Sequence, residues 1–215
     1  VAPTDPNGAV ILDRSSTYIN ISVDEKTNST LDTFIINWNG TNITYNRNLI
    51  LNHHFNQNTT ASGGIKDDTL WGNNGTSYNG SLFNLSGYFG TGYTFDGIDD
   101  YIDIGNASIL NPTVLTIQAW IYPINLSDAV GTNMKLILSK FSLAGAVDSY
   151  FLGIGCSNGG CGAPNKVRFI LNDTYETVSN ADVATNAWTH ITAVYNGTHS
   201  LIYINGILDR TGSQN

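Results

Sequence analysis

The stretch GYFGTGYTFDGIDDYIDIG, Gly87–Gly105, decides the fold of this chain. β-Forming residues recur in Tyr93–Phe95 and Tyr101–Ile104, and the acidic segment Asp96–Asp100 separates these two runs. Strands favour aromatic and β-branched residues, and an Asp-Gly pair suits a turn between strands. The stretch therefore predicts a β-hairpin that turns in the acidic segment.

Alternating apolar and polar residues predict short strands through the rest of the chain, and no segment has a convincing helical period. Residues 59–84 are rich in Gly, Asn, Ser and Asp, which indicates a long surface connection. Trp38, Trp120 and Trp188 alternate within strands, which places them in the predicted core. The fold class is all-β, an antiparallel β-sandwich. The predicted strands are Val10–Leu12, Tyr18–Val23, Leu31–Trp38, Thr41–Tyr45, Asn48–Phe55, Leu115–Tyr122, Lys135–Phe141, Tyr150–Ile154, Lys166–Leu171, Tyr175–Val178, Trp188–Tyr195, Leu201–Ile204 and Ile207–Asp209.

Composition narrows the class of protein. Hydrophobic residues make up 41% and aromatic residues 11% of the 215 residues, which indicates a globular chain. The net charge of −8 with only 12% charged residues disfavours nucleic acid as a partner, since phosphates would be repelled. No apolar run reaches the roughly 20 residues of a transmembrane helix. The first residues lack the pattern of a signal peptide, so we expect a processed form or an excerpt of a longer protein.

Cysteines and sequons both indicate an extracellular protein. Cys156 and Cys161 are predicted to close a small disulfide loop, the alternative being two free thiols. The twelve Asn-x-Ser/Thr sequons exceed the number expected by chance, although four of them are Asn-Gly pairs that also suit turns. The sequons are at Asn20, Asn28, Asn39, Asn42, Asn58, Asn74, Asn79, Asn84, Asn106, Asn125, Asn172 and Asn196.

Five motifs in order resemble the LamG-like jelly rolls, relatives of the concanavalin A-type lectins and the laminin G domain. They are WGNNGT at Trp71–Thr76, GYTFDGIDDYI at Gly92–Ile102, LTIQAWI at Leu115–Ile121, WTHITAVYNG at Trp188–Gly197 and LIYING at Leu201–Gly206. The resemblance implies a jelly roll over residues 48–215, which ends before the closing strand of the family. Either the chain is a fragment, or self-association by strand addition supplies the missing strand.

Residues 1–47, and Leu31–Thr41 in particular, resemble a partial immunoglobulin-like segment that precedes such jelly rolls in large archaeal cell-surface proteins. Four strands in about 45 residues are half of an immunoglobulin-like sandwich. We therefore expect two units, both incomplete, at a cell surface.

The acidic segment is a candidate calcium site. Asp96, Asp99 and Asp100, with Asp103 nearby, concentrate carboxylates, and calcium takes six to eight oxygen ligands. The resemblance adds weight, because calcium is common in lectin-like folds. The alternative is that Asp96 serves the turn while Asp99 and Asp100 are solvated.

Four aromatic residues in predicted loops are candidates for glycan binding, because exposed rings stack on sugar rings. The alternative is that they cover the edge of the sandwich. The four candidates are Trp71, Tyr78, Tyr88 and Phe89.

Catalytic motifs are missing from the sequence. The E-x-D-x-E strand used by glycoside hydrolases of this fold, the H-E-x-x-H pair and the G-x-S-x-G elbow do not occur. We expect no enzyme but a glycosylated extracellular module that is structural or adhesive, in a cell surface or surface filament. The alternative is a carbohydrate-binding lectin module with a calcium-supported loop site.

Overall fold

The computed structural model divides the chain into two compact units, Val1–Leu49 and Ile50–Asn215. In the first unit, β1 (Thr33–Trp38) pairs antiparallel with β2 (Thr41–Asn46), as the sequence predicts. The predicted strands before β1 lie outside the described residues, so the immunoglobulin-like segment stays a prediction. The structure describes the backbone of 33–38 and 41–46, and residues 48–126, 134–140, 150–155 and 165–213.

The described residues of the second unit form two four-stranded antiparallel sheets and smaller strand pairs. One has the strand order β11-β10-β9-β8 and the other the order β14-β13-β12-β7. Two small pairs, β3 with β6 and β4 with β5, precede them. The strands are β3 (Thr76–Tyr78), β4 (Leu82–Gly87), β5 (Gly90–Thr94), β6 (Tyr101–Asp103), β7 (Leu115–Ile121), β8 (Lys135–Lys140), β9 (Tyr150–Ile154), β10 (Lys166–Leu171), β11 (Tyr175–Asp182), β12 (Thr189–Tyr195), β13 (His199–Ile204) and β14 (Ile207–Ser213), and a 3₁₀ turn covers Ser108–Leu110.

Alternate residues of the two large sheets form one hydrophobic core. Leu152 on β9 and Phe169 on β10 pack in one cluster with Ile191 on β12 and Ile202 on β13, and all four side chains are fully buried. Because side chains of a strand alternate between its faces, the residues between them point away from the core. The predicted antiparallel β-sandwich is confirmed.

Asn-Gly turns connect the last strands as predicted. Asn205 and Gly206 have φ of +52° and +79°, and they join β13 to β14. A turn with positive φ at both central residues matches the twist of the paired strands, which explains the preference for Asn-Gly.

The predicted central hairpin is wrong, because β5 and β6 do not pair with each other. β5 pairs with β4, and β6 pairs with β3. The loop between them is held by its own carboxylates: Asp96 Oδ1 accepts from Ile98 N, and Asp100 Oδ2 accepts from Asp96 N, both at 2.8 Å. The stack of Tyr78 on Tyr101, with ring centroids 5.0 Å apart, stabilises the pairing of β3 with β6.

Two predictions for the segment before β4 are also wrong. Residues 48–55 form no strand, since their backbone meets loops: Asn52 O accepts from Asp68 N at 2.9 Å. Residues 59–84 are more than a surface connection, because they contain β3 and the fully buried Ile65, which exchanges backbone hydrogen bonds with Gly75. Loop-to-loop contacts therefore replace the predicted strand.

Candidate functional site

The tip of the β4–β5 hairpin carries two adjacent aromatic residues, Tyr88 and Phe89. The tip needs glycine at position 87, because a Cβ there would lie 2.0 Å from the carbonyl oxygen of Thr91. The register of the hairpin shifts between Asn84 and Gly87, and the strands pair again through Gly87 and Gly90 at the tip. This local geometry places both rings at the end of the hairpin.

The two rings of the hairpin tip lie on a larger aromatic cluster. Tyr88 stacks face to face on Trp120, with centroids 3.5 Å apart and planes at 10°. Phe89 meets Tyr88 edge to face at 4.7 Å, and Trp188 meets Tyr88 at 5.8 Å. His190 lies 5.0 Å from Trp120. We call these five residues the aromatic platform.

The platform stands on the outer face of the β7–β12 pair. Trp120 is opposite His190 in the register of β7 and β12, and it alternates with Ile117 and Ala119, which face the core side. Trp120 and Trp188 are half-buried and lie outside the core cluster. The prediction that both belong to the core is therefore wrong: alternation within a strand defines two faces, and these residues are on the outer one.

The aromatic rings of the platform differ in how exposed they are to solvent, and this difference indicates their roles. Tyr88 is 45% exposed and Phe89 is 79% exposed, whereas Trp120 has one face covered by Tyr88. Exposed apolar surface of this kind marks interaction sites in soluble proteins. Tyr88 and Phe89 are thus available to a ligand, and Trp120 supports them from below.

A row of polar side chains lies beside the platform on the same face. Gln118 on β7 is opposite Thr192 on β12, which is opposite Tyr203 on β13. Gln118 is exposed, and the other two are half-buried. We call these three residues the polar row.

The other two predicted glycan-binding residues lie elsewhere in the unit. Tyr78 stacks on Tyr101 between β3 and β6. Trp71 lies in the loop after Asp67, where its backbone N–H donates to the hydroxyl of Thr69 at 3.2 Å. The structure therefore brings Tyr88 and Phe89 together, and it adds Trp120, Trp188 and His190, which the sequence analysis missed. The spacing of Trp120 from the core residues of β7 was the signal that could have found it.

The acidic segment brings its three predicted ligands together. Single carboxylate oxygens of Asp96, Asp99 and Asp100 lie within 4.8 Å of one another. Asp100 Oδ1 is buried and has no hydrogen-bond partner in the part of the chain that the structure describes. The ammonium of Lys135 donates to Gly97 O at 3.1 Å, so a cationic side chain already reaches this loop. The donor set fits a hard cation that prefers oxygen, such as calcium.

A buried carboxylate organises the loop before β3. Asp67 accepts from Asn52 N at 2.9 Å, from the Thr69 hydroxyl at 2.7 Å and from Asn73 N at 2.8 Å. Burial by itself raises the pKa of Asp67, but these hydrogen bonds stabilise the carboxylate and hold its pKa below the usual 3.8.

His53 lies in the same loop region with both ring nitrogens buried. Neither nitrogen makes a hydrogen bond of normal geometry to the described residues. Burial lowers the pKa of His53 below 6.5, because the imidazolium loses its hydration. Asp67 and the backbone of Lys66 and Asn73 offset part of this effect.

Eight sequons lie in residues whose side chains the structure describes. Asn74 and Asn172 are half-buried, and the other six are exposed: Asn58, Asn79, Asn84, Asn106, Asn125 and Asn196. Asn42 lies in β2, of which only the backbone is described, and Asn20, Asn28 and Asn39 lie outside the described residues. Cys156 and Cys161 lie outside them as well, so the disulfide loop stays a prediction.

Fold and site together define a class, the lectin-like β-sandwiches with aromatic residues on an outer face. Residues 96–215 match the Laminin_G_3 family of the concanavalin A-like lectin/glucanases superfamily, and the chain belongs to this superfamily. The predicted LamG-like jelly roll is thereby confirmed. No curated protein is significantly similar to the chain.

Two solved structures are similar to this chain, and the first of them shows the similarity of fold. Domain 4 of AbnA, a GH43 extracellular arabinanase from Geobacillus stearothermophilus, solved in complex with arabinotriose, is 14% identical with a TM-score of 0.51. The match covers 76% of this chain and 73% of that one. An S-layer domain-containing protein from Clostridium thermocellum is 19% identical with a TM-score of 0.40, covering 75% of this chain and 71% of that one. Among the described residues, no helix is long and apolar enough to cross a membrane.

Proposed function

We propose that this chain is a non-enzymatic carbohydrate-binding module of an extracellular, N-glycosylated surface protein. The observation that carries the proposal is the stack of Tyr88 on Trp120. It holds Tyr88 in place while this side chain stays 45% exposed, so a sugar finds a preformed apolar surface and little ordering cost remains on binding. The C–H groups of a pyranose or furanose ring supply the complementary apolar face.

The superfamily and the similar fold support this choice over a purely structural role. AbnA domain 4 was solved with arabinotriose, so a sandwich of related fold holds a sugar. The aromatic platform gives this chain a surface for such a ligand, whereas a scaffold alone has no need of two exposed rings at a hairpin tip. The adhesive role of the sequence analysis follows when the sugar belongs to a neighbouring surface. Assembly into a filament by strand addition stays a separate prediction.

Glycosylation fits the same picture. The six exposed sequons place the acceptor side chains of the folded domain in solvent, as a secreted glycoprotein requires. Mass spectrometry of the native protein before and after enzymatic release of N-glycans tests this part. An unchanged mass would contradict it.

Calcium is the cofactor that the acidic segment would hold, through the carboxylates of Asp96, Asp99 and Asp100. Its contribution would be to neutralise the clustered charge and fix the loop between β5 and β6. The platform residues are distinct from this loop, so we propose a stabilising role for the ion and no direct contact with sugar.

The decisive experiment is a glycan array with the intact chain and a variant that carries both Tyr88→Ala and Phe89→Ala. We expect saturable binding to a defined glycan class, which the double variant loses while its unfolding transition stays cooperative. The matched control is Tyr175→Ala, which removes an exposed tyrosine from β11 in the other sheet. Absence of saturable binding to every glycan, or binding that survives the double variant, would overturn the proposal.

A further inference from the structure

We infer that the ligand of the platform is a neutral oligosaccharide that extends from Tyr88 across the polar row. The inference rests on the proposed function and adds the chemical class and length of the sugar. It excludes uronic-acid and sulfated polymers.

The first argument is the absence of charge from the strands that build the site. The five strands β4, β5, β7, β12 and β13 contain no Lys, Arg, Asp or Glu, and their only titratable side chains besides tyrosine are His190 and His199. Recognition of carboxylate or sulfate groups uses Arg or Lys, which supply charge-assisted hydrogen bonds. A polyanionic chain would therefore lose hydration on this face without gaining a cationic partner.

The second argument is that the basic side chains of the described residues are engaged elsewhere. Arg168 pairs with Glu176 and Lys166 with Asp182, both at 2.8 Å, in the other sheet. The other four make hydrogen bonds outside the face: Lys66 to Gly63, Lys135 to Gly97, Lys140 to Asn106, and Arg210 to Asn180.

The charged residues of β14 also point away from the site. The carboxylate of Asp209 accepts from the backbone N–H groups of Asn180 and Ala181 on β11, and Arg210 donates to Asn180 Oδ1 at 3.3 Å. Both residues therefore join the edges of the two sheets, and they leave the face beside β13 uncharged.

The third argument is the length and chemistry of the polar row. Gln118, Thr192 and Tyr203 lie on three neighbouring strands, so the row spans about 10 Å at the usual strand spacing. It lies about 7 Å from Trp120 along β7, since Gln118 and Trp120 are two residues apart on one face. An amide and two hydroxyls both donate and accept hydrogen bonds, as sugar hydroxyls do. A single sugar on Tyr88 does not reach this row, whereas an oligosaccharide does.

The test uses affinity electrophoresis of the intact chain in gels containing neutral polymers (arabinan, galactan, mannan, β-glucan) or acidic polymers (polygalacturonate, alginate, dextran sulfate). We expect retardation by at least one neutral polymer and by no acidic one, with a dissociation constant that changes less than about twofold between low and high salt, because no ion pair forms. Binding confined to acidic polymers and lost at high salt, yet still abolished by Tyr88→Ala with Phe89→Ala, would overturn the neutral class and leave the proposed function intact. No retardation by any polymer would overturn both.

The length of the ligand is tested with a ladder of oligosaccharides from the retained polymer, measured by calorimetry. Gln118→Ala and Thr192→Val should each weaken the longest oligosaccharide about tenfold, the loss of one hydrogen bond of about 1.4 kcal/mol, and change the affinity of the shortest bound one less than twofold. Ser139→Ala, on β8 of the other sheet, is the matched control. Equal losses for long and short ligands would contradict an extended site.

Discussion

The two outer faces of the sandwich differ in chemistry although their inner faces are alike. The face of β7, β12 and β13 is uncharged and carries the aromatic platform, whereas the face of β10 and β11 carries two ion pairs, Arg168–Glu176 and Lys166–Asp182. Inner positions on both sheets hold apolar residues of one core. The core requires an apolar side chain at every second residue of a strand. The residues at the alternate positions point outward, and they can contribute to binding on one face and to stability on the other.

The largest expected effect is on the charged face. Arg168 is only 5% exposed, and its guanidinium donates to Gly155 O and to Glu176. Arg168→Met should lower the free energy of unfolding by about 3 kcal/mol, because breaking one side of a buried pair leaves the remaining polar groups poorly solvated. Urea unfolding measures this change, and glycan affinity should stay within about twofold.

A double variant provides the control for that prediction. Adding Glu176→Leu to Arg168→Met should recover most of the lost stability, since two apolar side chains replace the pair. If Arg168→Met loses sugar binding at temperatures where it is folded, the charged face also affects binding. This result would contradict the assignment of binding to one face and stability to the other.

The second effect concerns the support of the platform. Trp120→Leu should weaken glycan binding about tenfold, or about 1.4 kcal/mol, although Tyr88 covers one face of the indole. The reason is that Tyr88 loses the ring on which it stacks, and such aromatic pairs contribute about 0.5–1.5 kcal/mol beyond the area they bury. Calorimetry with the glycan that the wild-type chain binds measures this loss of affinity.

Trp120→Phe is the matched variant, because it retains a ring under Tyr88. We expect it to keep most of the affinity. If both variants bind glycan like the wild type, then binding does not depend on the stack of Tyr88 on Trp120. The proposed difference between this preformed aromatic face and an ordinary protein surface would then be wrong.

The third effect lies on neither face. The pKa of His53 is below 6.5 in the folded chain, so the unfolded chain binds the proton first as the pH falls. The contribution of neutral His53 to the free energy of unfolding is therefore present above pH 6.5, and it is lost as the pH falls from there through the pKa of His53 in the folded chain. His53→Leu should remove this part of the acid sensitivity and stabilise the chain by about 1 kcal/mol at the acid end of that window, since it removes a buried polar ring.

Unfolding curves of wild type and variant at several pH values between 7.5 and 5 measure this difference. Asp67 does not interfere, because its pKa lies below 3.8 and its contribution is lost only at lower pH. Parallel pH profiles for the two proteins would contradict the assignment to His53.

The smallest effect is that of calcium on the acidic segment. For a site at the weak end of the extracellular class, with a dissociation constant of about 10⁻³ M, about 1 mM calcium should raise the free energy of unfolding by about 0.4 kcal/mol. Asp99→Asn should abolish the gain, and Asp173→Asn, in the turn before β11, should keep it. A gain that persists in Asp99→Asn would place the ion elsewhere.

Local patterns predicted the strands of the sandwich well. β7 to β14 lie where alternation of residue types predicts them, with shifts of a few residues at their ends, and the Asn205-Gly206 turn adopts the expected φ values. The partners of β5 and β6 could not be predicted, because the carboxylates of Asp96 and Asp100 accept hydrogen bonds that hold the connecting loop, and each strand pairs with a segment from earlier in the chain.

The candidate site was predicted in part for the same reason. Tyr88 and Phe89 are adjacent in an evident turn, so the sequence indicates exposed rings. The sequence pattern around Trp120 is equally consistent with a core residue. Alternation along a strand defines two faces but does not indicate which of them is buried.

The sequence by itself therefore determined the strands β7 to β14, the apolar inner stripe and the lack of charge along β7, β12 and β13, since each depends on residues close together in the chain. Only the tertiary structure decided which strands are neighbours and that the hairpin tip lies on Trp120. Contacts between distant segments depend on how whole sheets pack, and no local pattern records that.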